Sequence, residues 1–287
     1  MEHQITPTAH GKTVLVTGAS SGIGLHLALR FAREGFNLVL VAPDEDTLRI
    51  AAEEVDNCAS GRVRMLVADL EERDAAGTIH QTLADDGVAI DILVNDAGHG
   101  YRGRYWELPI ATHLSVLRLN VEAVLRLTSQ FLPEMVARGH GRILNVASVA
   151  GFEPGPLMAV YHATKAFVLS WSEALATELE GTGVTLTALC PGPTDTDFFP
   201  KGDMEQTRAF QKANLMAPQD VAEAGFDGCL KGERVVVPGV MNKALVFSRR
   251  FMSEHAQSVL NEALYTDVSD DDTERKRGDA ERRDKAD

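Results

Sequence analysis

Residues 12–24 read KTVLVTGASSGIG, an apolar strand that runs without a break into a glycine-rich turn. The first six are apolar almost continuously rather than alternately, the pattern of a strand covered on both faces. Gly18, Gly22 and Gly24 then permit a tight turn, close approach of backbone to a pyrophosphate, and close packing of helix on strand. A helical pattern follows at once, over residues 23–34. The free N–H groups and partial positive charge at its amino terminus would favour an anion over the turn. Strand, glycine turn and helix in this order are the setting a dinucleotide-binding turn requires. The competing reading is a glycine-rich connection without a ligand, and the position directly after the first strand makes binding the better one. Gly18, Ser20, Ser21, Gly22, Ile23 and Gly24 are the candidate contacts.

Working outward, similar apolar runs recur at 37–42 (NLVLVA), 62–67, 90–95 (IDILVN), 142–147 (RILNVA), 184–190 (VTLTALC) and 233–238 (ERVVVP). Helical patterns lie between them at 45–56, 73–83, 113–138, 158–180 and 218–230. Alternation of this kind predicts βαβ units with right-handed crossovers. The expected fold is α/β, a Rossmann-type doubly wound sheet of about seven parallel strands with helices on both faces. A single domain is expected over residues 1–265, its last part (242–264) an amphipathic helix covering the sheet or a pocket. Residues 266–287 hold almost no large apolar side chain and many charges of both signs. Such a segment buries too little surface to offset its ordering entropy, so it reads as a disordered or weakly helical tail.

The bulk numbers exclude several classes. A chain of 287 residues with 44% hydrophobic and 24% charged residues is ordinary for a globular protein. A formal charge of -14 and a pI near 5.1 disfavour a nucleic-acid binder or an anionic-membrane binder. Cys58, Cys190 and Cys229 are far apart and form no ligand spacing, so no metal site or disulfide framework is expected. The first ten residues lack a signal pattern, and no apolar run approaches a membrane span. A cytoplasmic setting is the simplest expectation.

Tyr161 and Lys165 stand four residues apart in YHATK, on one face of a predicted helix. A phenol with a pKa of about 10 is a poor base at neutral pH, and a neighbouring ammonium favours its ionised form. The pair could therefore be a tuned proton donor and acceptor, although the spacing is common in ordinary helices.

Together these segments resemble the short-chain dehydrogenase/reductase family over roughly residues 11–240. The glycine turn is spaced Gly-x-x-x-Gly-x-Gly, as in that family. Asp69 and Leu70 follow the third strand, where the family contacts the adenine ring. Asn95-Asp96-Ala97-Gly98 resembles the family's Asn-Asn-Ala-Gly. Asn120 falls at its catalytic asparagine, and Ser148 lies thirteen residues before Tyr161. Pro191-Gly192-Pro193-Thr194-Asp195-Thr196 resembles the segment beside the nicotinamide.

The resemblance implies an NAD(P)-dependent oxidoreductase that interconverts a ketone or aldehyde and an alcohol. Tyr161 would be the acid/base, Lys165 would lower its pKa and bond the nicotinamide ribose, Ser148 would bond the carbonyl oxygen, and Asn120 would hold a water. Asn95, Ala97, Gly98, Pro191, Gly192, Thr194 and Thr196 would contact the cofactor. The family also implies a homodimer or homotetramer built on the helices carrying Asn120 and Tyr161. The two departures are Asp96 for asparagine, and Pro43-Asp44 where many NADP users carry arginine. With no cation in the turn and acids at 44–46, the cofactor choice stays open between NAD and NADP. Aromatic and apolar residues in 99–106, 150–158 and 193–210 suggest either a partly hydrophobic substrate pocket or core packing, with Arg102 or Arg104 possible partners for an acidic group. His162 receives no role, and His99 either borders the substrate or is a solvent-exposed loop histidine, the second favoured over a catalytic part. The alternatives are a dinucleotide-binding sensor without catalysis, and an epimerase or dehydratase on the same fold.

Overall fold

The computed structural model describes Ala9, residues 11–269 and residues 275–280. Ala9 aside, the amino-terminal stretch read for a signal pattern lies outside the described residues, as do 270–274 and 281–287 of the expected tail. Seven parallel strands form one sheet: β1 (Thr13–Thr17), β2 (Asn37–Ala42), β3 (Val63–Val67), β4 (Ile92–Asn95), β5 (Gly141–Val146), β6 (Val184–Leu189) and β7 (Val235–Val236). Their order across the sheet is β3-β2-β1-β4-β5-β6-β7. The direction of winding reverses between β1 and β4, which opens a crevice at the carboxyl ends of those strands. Register aligns these ends, with Thr17 opposite Val41, Asn95 opposite Asn145 and Val146 opposite Leu189.

Successive strand residues point to opposite faces, and both faces are buried. Val14, Val16, Leu38, Leu40, Ile92 and Val94 meet α1 (Gly22–Arg33), α2 (Glu45–Asp56) and α9 (Pro218–Lys231) through Leu27, Phe31, Leu48, Val55, Val221 and Phe226. Leu15, Val39, Val41, Leu93 and Ile143 meet α3 (Ala75–Asp85), α5 (Ala123–Ala137) and α6 (Ala159–Glu178) through Ile79, Leu83, Leu127, Phe131, Met135 and Leu175. This double covering explains the continuous apolar runs.

Four elements differ from their expected form. β7 keeps two of six expected residues, because it is an edge strand that pairs only with Ala188 and Leu189 before Pro238. The helix expected over 113–138 begins earlier, as α4 (Ile110–Leu117), and passes through a π-helical turn (Arg118–Glu122) into α5. The helix expected over 242–264 is two: α10 (Val240–Ser248), a 3-10 turn (Arg249–Phe251), then α11 (Glu254–Leu264). Met252 is extended, and the Ser253 side chain caps the new helix by accepting from Ala256 N–H at 3.3 Å. The loop after β6 carries α7 (Phe198–Lys201) and α8 (Arg208–Gln211).

The described part of the charged tail packs on that loop. Arg208 N–H donates to Thr266 O at 3.0 Å and Val268 N–H to Gln206 O at 2.9 Å. The Arg275 guanidinium donates to Phe210 O and Ala213 O, each at 2.6 Å. Gly278 and Ala280 N–H groups donate to the Asp195 carboxylate at 3.0 and 2.9 Å. Main-chain bonds and charge make these contacts, a source of order that apolar composition does not register.

Candidate active site

The crevice holds a cavity of about 1240 Å³. Gly18, Ser20, Ser21, Gly22 and Ile23 line one side. Gly18 has φ +67°, and a Cβ there would lie 3.0 Å from the Ala97 backbone. Gly22 has φ +57°, and a Cβ would meet the Thr196 side chain at 3.2 Å. Gly24 is set behind the wall, where a Cβ would come within 2.5 Å of Gly18 O. Each glycine thus serves a backbone conformation or a close approach that a larger residue would spoil. The buried Thr17 hydroxyl accepts from Asp96 N–H (3.0 Å) and Ala97 N–H (3.2 Å) and donates to Val94 O (3.2 Å), tying the ends of β1 and β4 together. Asp69, Leu70, Ala97, Gly98, Pro191, Gly192, Thr194 and Thr196 also line the cavity. Asn95 does not: its amide donates to Asn145 Oδ1 at 2.8 Å within the sheet, and Asn145 donates to Ser172 at 2.9 Å. The Asn95 side chain is thus engaged between neighbouring strands rather than facing the cavity.

Ser148, Tyr161 and Lys165 all line the cavity. Ser148 caps the short turn Val149–Phe152, accepting from Ala150 N–H at 3.1 Å. Burial pushes the Tyr161 hydroxyl up to about 12, a hydrogen bond with Ser148 opposes the shift, and the Asp96 charge adds to it. Lys165 Nζ lies 5.8 Å from the Tyr161 ring centre and donates to Val146 O at 2.8 Å. Burial lowers its affinity for a proton, while Asp96 raises it. Burial is thus the largest influence on the Tyr161 hydroxyl. Burial also raises the Asp96 carboxyl far above the usual carboxylate range, against the opposing pull of Lys165.

Asn120 sits in the π-helical turn and does not line the cavity. Its Oδ1 accepts from His99 N–H (3.0 Å), and its Nδ2 donates to His99 O (2.9 Å) and Thr164 Oγ1 (3.1 Å). The π turn places one amide where it clamps both polar groups of the His99 backbone. His99 does line the cavity; its ring bonds Ser115 Oγ at 3.1 Å, and burial lowers its pKa.

The lining also includes Phe198, Phe199, Leu215, Leu245, Leu264 and Tyr265, together with the polar Lys201, Asn214 and Asn242. Of the aromatic segments, Phe210 and Met204 are core, Phe198 and Phe199 face the cavity, and Tyr105 and Trp106 are exposed. Arg102 holds the carboxyl-terminal segment, bonding Asp203 O, Tyr265 O and Asp267. Arg104 lies over Trp106.

Two further pairs had no sequence signal, because each joins residues about a hundred positions apart. His162 Nδ1 lies 2.9 Å from Glu153 O and its Nε2 lies 2.9 Å from the Tyr265 hydroxyl. A carbonyl only accepts, so Nδ1 carries the proton and Tyr265 donates to Nε2. Burial drops the His162 pKa to about 4, consistent with this neutral form. The Glu153 carboxylate pairs with Arg249, both side chains being less than a tenth exposed. Asn261 Nδ2 donates to Pro154 O at 2.8 Å. The α10–α11 segment is thus fastened to the loop that begins at Ser148. Among the described residues no cluster of ligating side chains could hold a metal, and no helix is long and apolar enough to cross a membrane.

Comparison with known proteins gives consistent matches. The short chain dehydrogenase family profile matches residues 12–207. A ketoacyl reductase, HetN, from Nostoc sp. is 34% identical over 219 residues, covering 76% of this chain and 75% of that protein. A short-chain dehydrogenase from Sphingobium yanoikuyae, solved with NADPH, superposes with a TM-score of 0.75 at 31% identity, covering 91% of this chain and 99% of that one. A short-chain dehydrogenase/reductase from Burkholderia phymatum, solved with NAD, gives a TM-score of 0.78 at 25% identity, covering 92% of this chain and all of that one.

Proposed function

This chain belongs to the short-chain dehydrogenase family, and from that premise we propose that it is an NAD(P)-dependent oxidoreductase interconverting a ketone or aldehyde and an alcohol. The observation that carries the reading is the pair of hydroxyl side chains, Ser148 and Tyr161, that line one cavity together with the glycine cradle of residues 18–23. The cradle suits a dinucleotide, since Cβ atoms at Gly18 and Gly22 would crowd the wall that must admit its phosphates. The 18–23 backbone would hold the pyrophosphate, Asp69 and Leu70 the adenine end, and Gly98, Pro191, Gly192, Thr194 and Thr196 the nicotinamide end. When bound, the cofactor supplies or takes the hydride.

In the reducing direction Tyr161, a phenol in this setting, donates its proton to the alkoxide oxygen as that charge develops. Ser148 donates a hydrogen bond to the same oxygen. Lys165, held by Val146 O, keeps a positive charge behind the tyrosine and favours the phenolate left after transfer. The apolar wall of Phe198, Phe199, Leu215, Leu245 and Leu264 supports a bulky, largely apolar carbonyl substrate. Asp44 stands at the rim and caps α2 through Thr47 N–H at 2.9 Å, and no cation lies among residues 43–47. A 2′-phosphate there would meet negative charge, which favours NAD over NADP.

The test is a panel of aliphatic and aromatic ketones with NADH and NADPH, followed by loss of cofactor absorbance, in wild type and Tyr161→Phe. Wild type turns over with NADH preferred. Tyr161→Phe loses roughly 10²–10⁴ in rate while its NADH affinity stays within about twofold. Near-normal turnover by the variant sinks the assignment.

A further inference from the structure

Asp96 occupies the second position of the Asn-Asp-Ala-Gly segment, directly after β4, and its carboxylate lies against the inner side of the glycine turn. Its Oδ2 would be 2.6 Å from a Cβ on Gly24 and 3.1 Å from one on Gly18. The neighbouring Gly24 N–H, in the first turn of α1, favours its ionised form. From α6, Lys165 is its countercharge, and Tyr161 is the other titratable group that feels it. From β1 it meets only the neutral hydroxyl of Thr17, through its own N–H. Cys190, beyond β6, faces Lys165 with a thiol that burial holds neutral. Among the described residues no ion pair within 4.0 Å reaches the Asp96 carboxylate.

Asp96 itself lines the cavity, so a dinucleotide over the turn would bring two phosphate charges close to its carboxylate. Buried charges at such separations are poorly screened, so an ionised Asp96 opposes the ligand. A protonated Asp96 does not, and burial already moves this carboxyl toward the neutral form. We propose that Asp96 serves the cofactor site as an uncharged acid, so that binding a dinucleotide draws one proton from solvent onto its carboxylate. The step is a protonation alone, carboxylate plus proton giving carboxylic acid. It also acts on the chemistry. In the free protein the Asp96 charge offsets Lys165 and adds to the burial that holds the Tyr161 proton; once neutral, it leaves the Lys165 charge uncompensated. Asp96 is then a positioning residue that couples arrival of the cofactor to the acidity of Tyr161. The inference rests on the NAD(P) reading of the site.

The experiment is calorimetric titration of the full chain with NADH, for wild type and Asp96→Asn, at pH values from about 6 to about 8. NADH avoids the cationic oxidised ring and the 2′-phosphate, whose monoester would titrate at about 6. Linkage fixes the sign: a group that is ionised when free and protonated when bound makes affinity fall as pH rises, by at most about tenfold per unit. Wild type should weaken by roughly fivefold or more across the range, and Asp96→Asn by less than about twofold. In two buffers of different ionisation enthalpy near neutral pH, wild type should take up a measurable fraction of a proton per NADH, and Asp96→Asn much less. Equal pH dependence in both proteins, the result expected if Lys165 titration governs binding, overturns the proposal. So does zero proton uptake by wild type, a result that needs no variant to fold. Binding with the expected proton uptake but no turnover on any ketone sustains the proposal while the oxidoreductase reading fails. Absence of NADH and NADPH binding at every pH overturns both.

Discussion

Replacing Tyr265 by phenylalanine removes one oxygen and leaves His162 Nε2 as a buried acceptor without its partner. An unmet buried acceptor costs about 1–3 kcal/mol, so thermal denaturation should show a midpoint lower by roughly 3–10 °C. The double variant His162→Phe/Tyr265→Phe should recover part of that loss, because it removes both polar ends. The same histidine predicts acid sensitivity. Its folded pKa of about 4 lies below the unfolded value, so the unfolded chain binds more protons between about 6.5 and 4, and stability falls as pH is lowered through that window. At this scale the sequence is a partial guide. Tyr161, Lys165 and Ser148 are legible because their spacing and order belong to a known pattern. His162 is not: one helix position from Tyr161, it points away from the reacting centre, and its use depends on a residue 103 positions later.

The elements around the cavity are fastened by a few buried polar contacts. The Glu153–Arg249 pair joins the turn after Ser148 to the 3-10 turn between α10 and α11. Arg249→Met alone leaves a buried carboxylate unpaired and should cost about 3–5 kcal/mol, whereas Glu153→Gln/Arg249→Met should cost much less. Urea denaturation of the two single variants and the double variant measures the coupling, and additivity of the single losses would refute it. Strand and helix positions were readable from periodicity, since both sheet faces demand apolar side chains. Breaks were less so. The split at Met252–Ser253 depends on one capping serine inside a continuous amphipathic pattern, and the π turn at Asn120 carries no composition signal.

Across the molecule, the described surface leaves an apolar strip on α4 and α6. Ile110, Leu114, Leu117 and Phe167 are each more than two fifths exposed. This strip supports pairing through those helices, as the family resemblance implies, in a homodimer or homotetramer. Light scattering should give a dimeric or tetrameric mass for wild type. Leu114→Glu/Phe167→Glu should shift it to a smaller species with the far-ultraviolet dichroism retained, and an unchanged mass would remove this strip as the interface. The net charge of -14 favours solubility of each protomer and says nothing about the pairing. Residues 12–24 and the periodic runs after them settled the strand–helix alternation, the parallel sheet and the glycine cradle, because those features follow from local period and backbone freedom. The order of the strands, the neutral tautomer of His162, the desolvation of Tyr161, and the docking of the described part of the charged tail were decided only in three dimensions. Each depends on which distant groups share a water-poor space, and desolvation there depends on the packed surroundings rather than on neighbours along the chain.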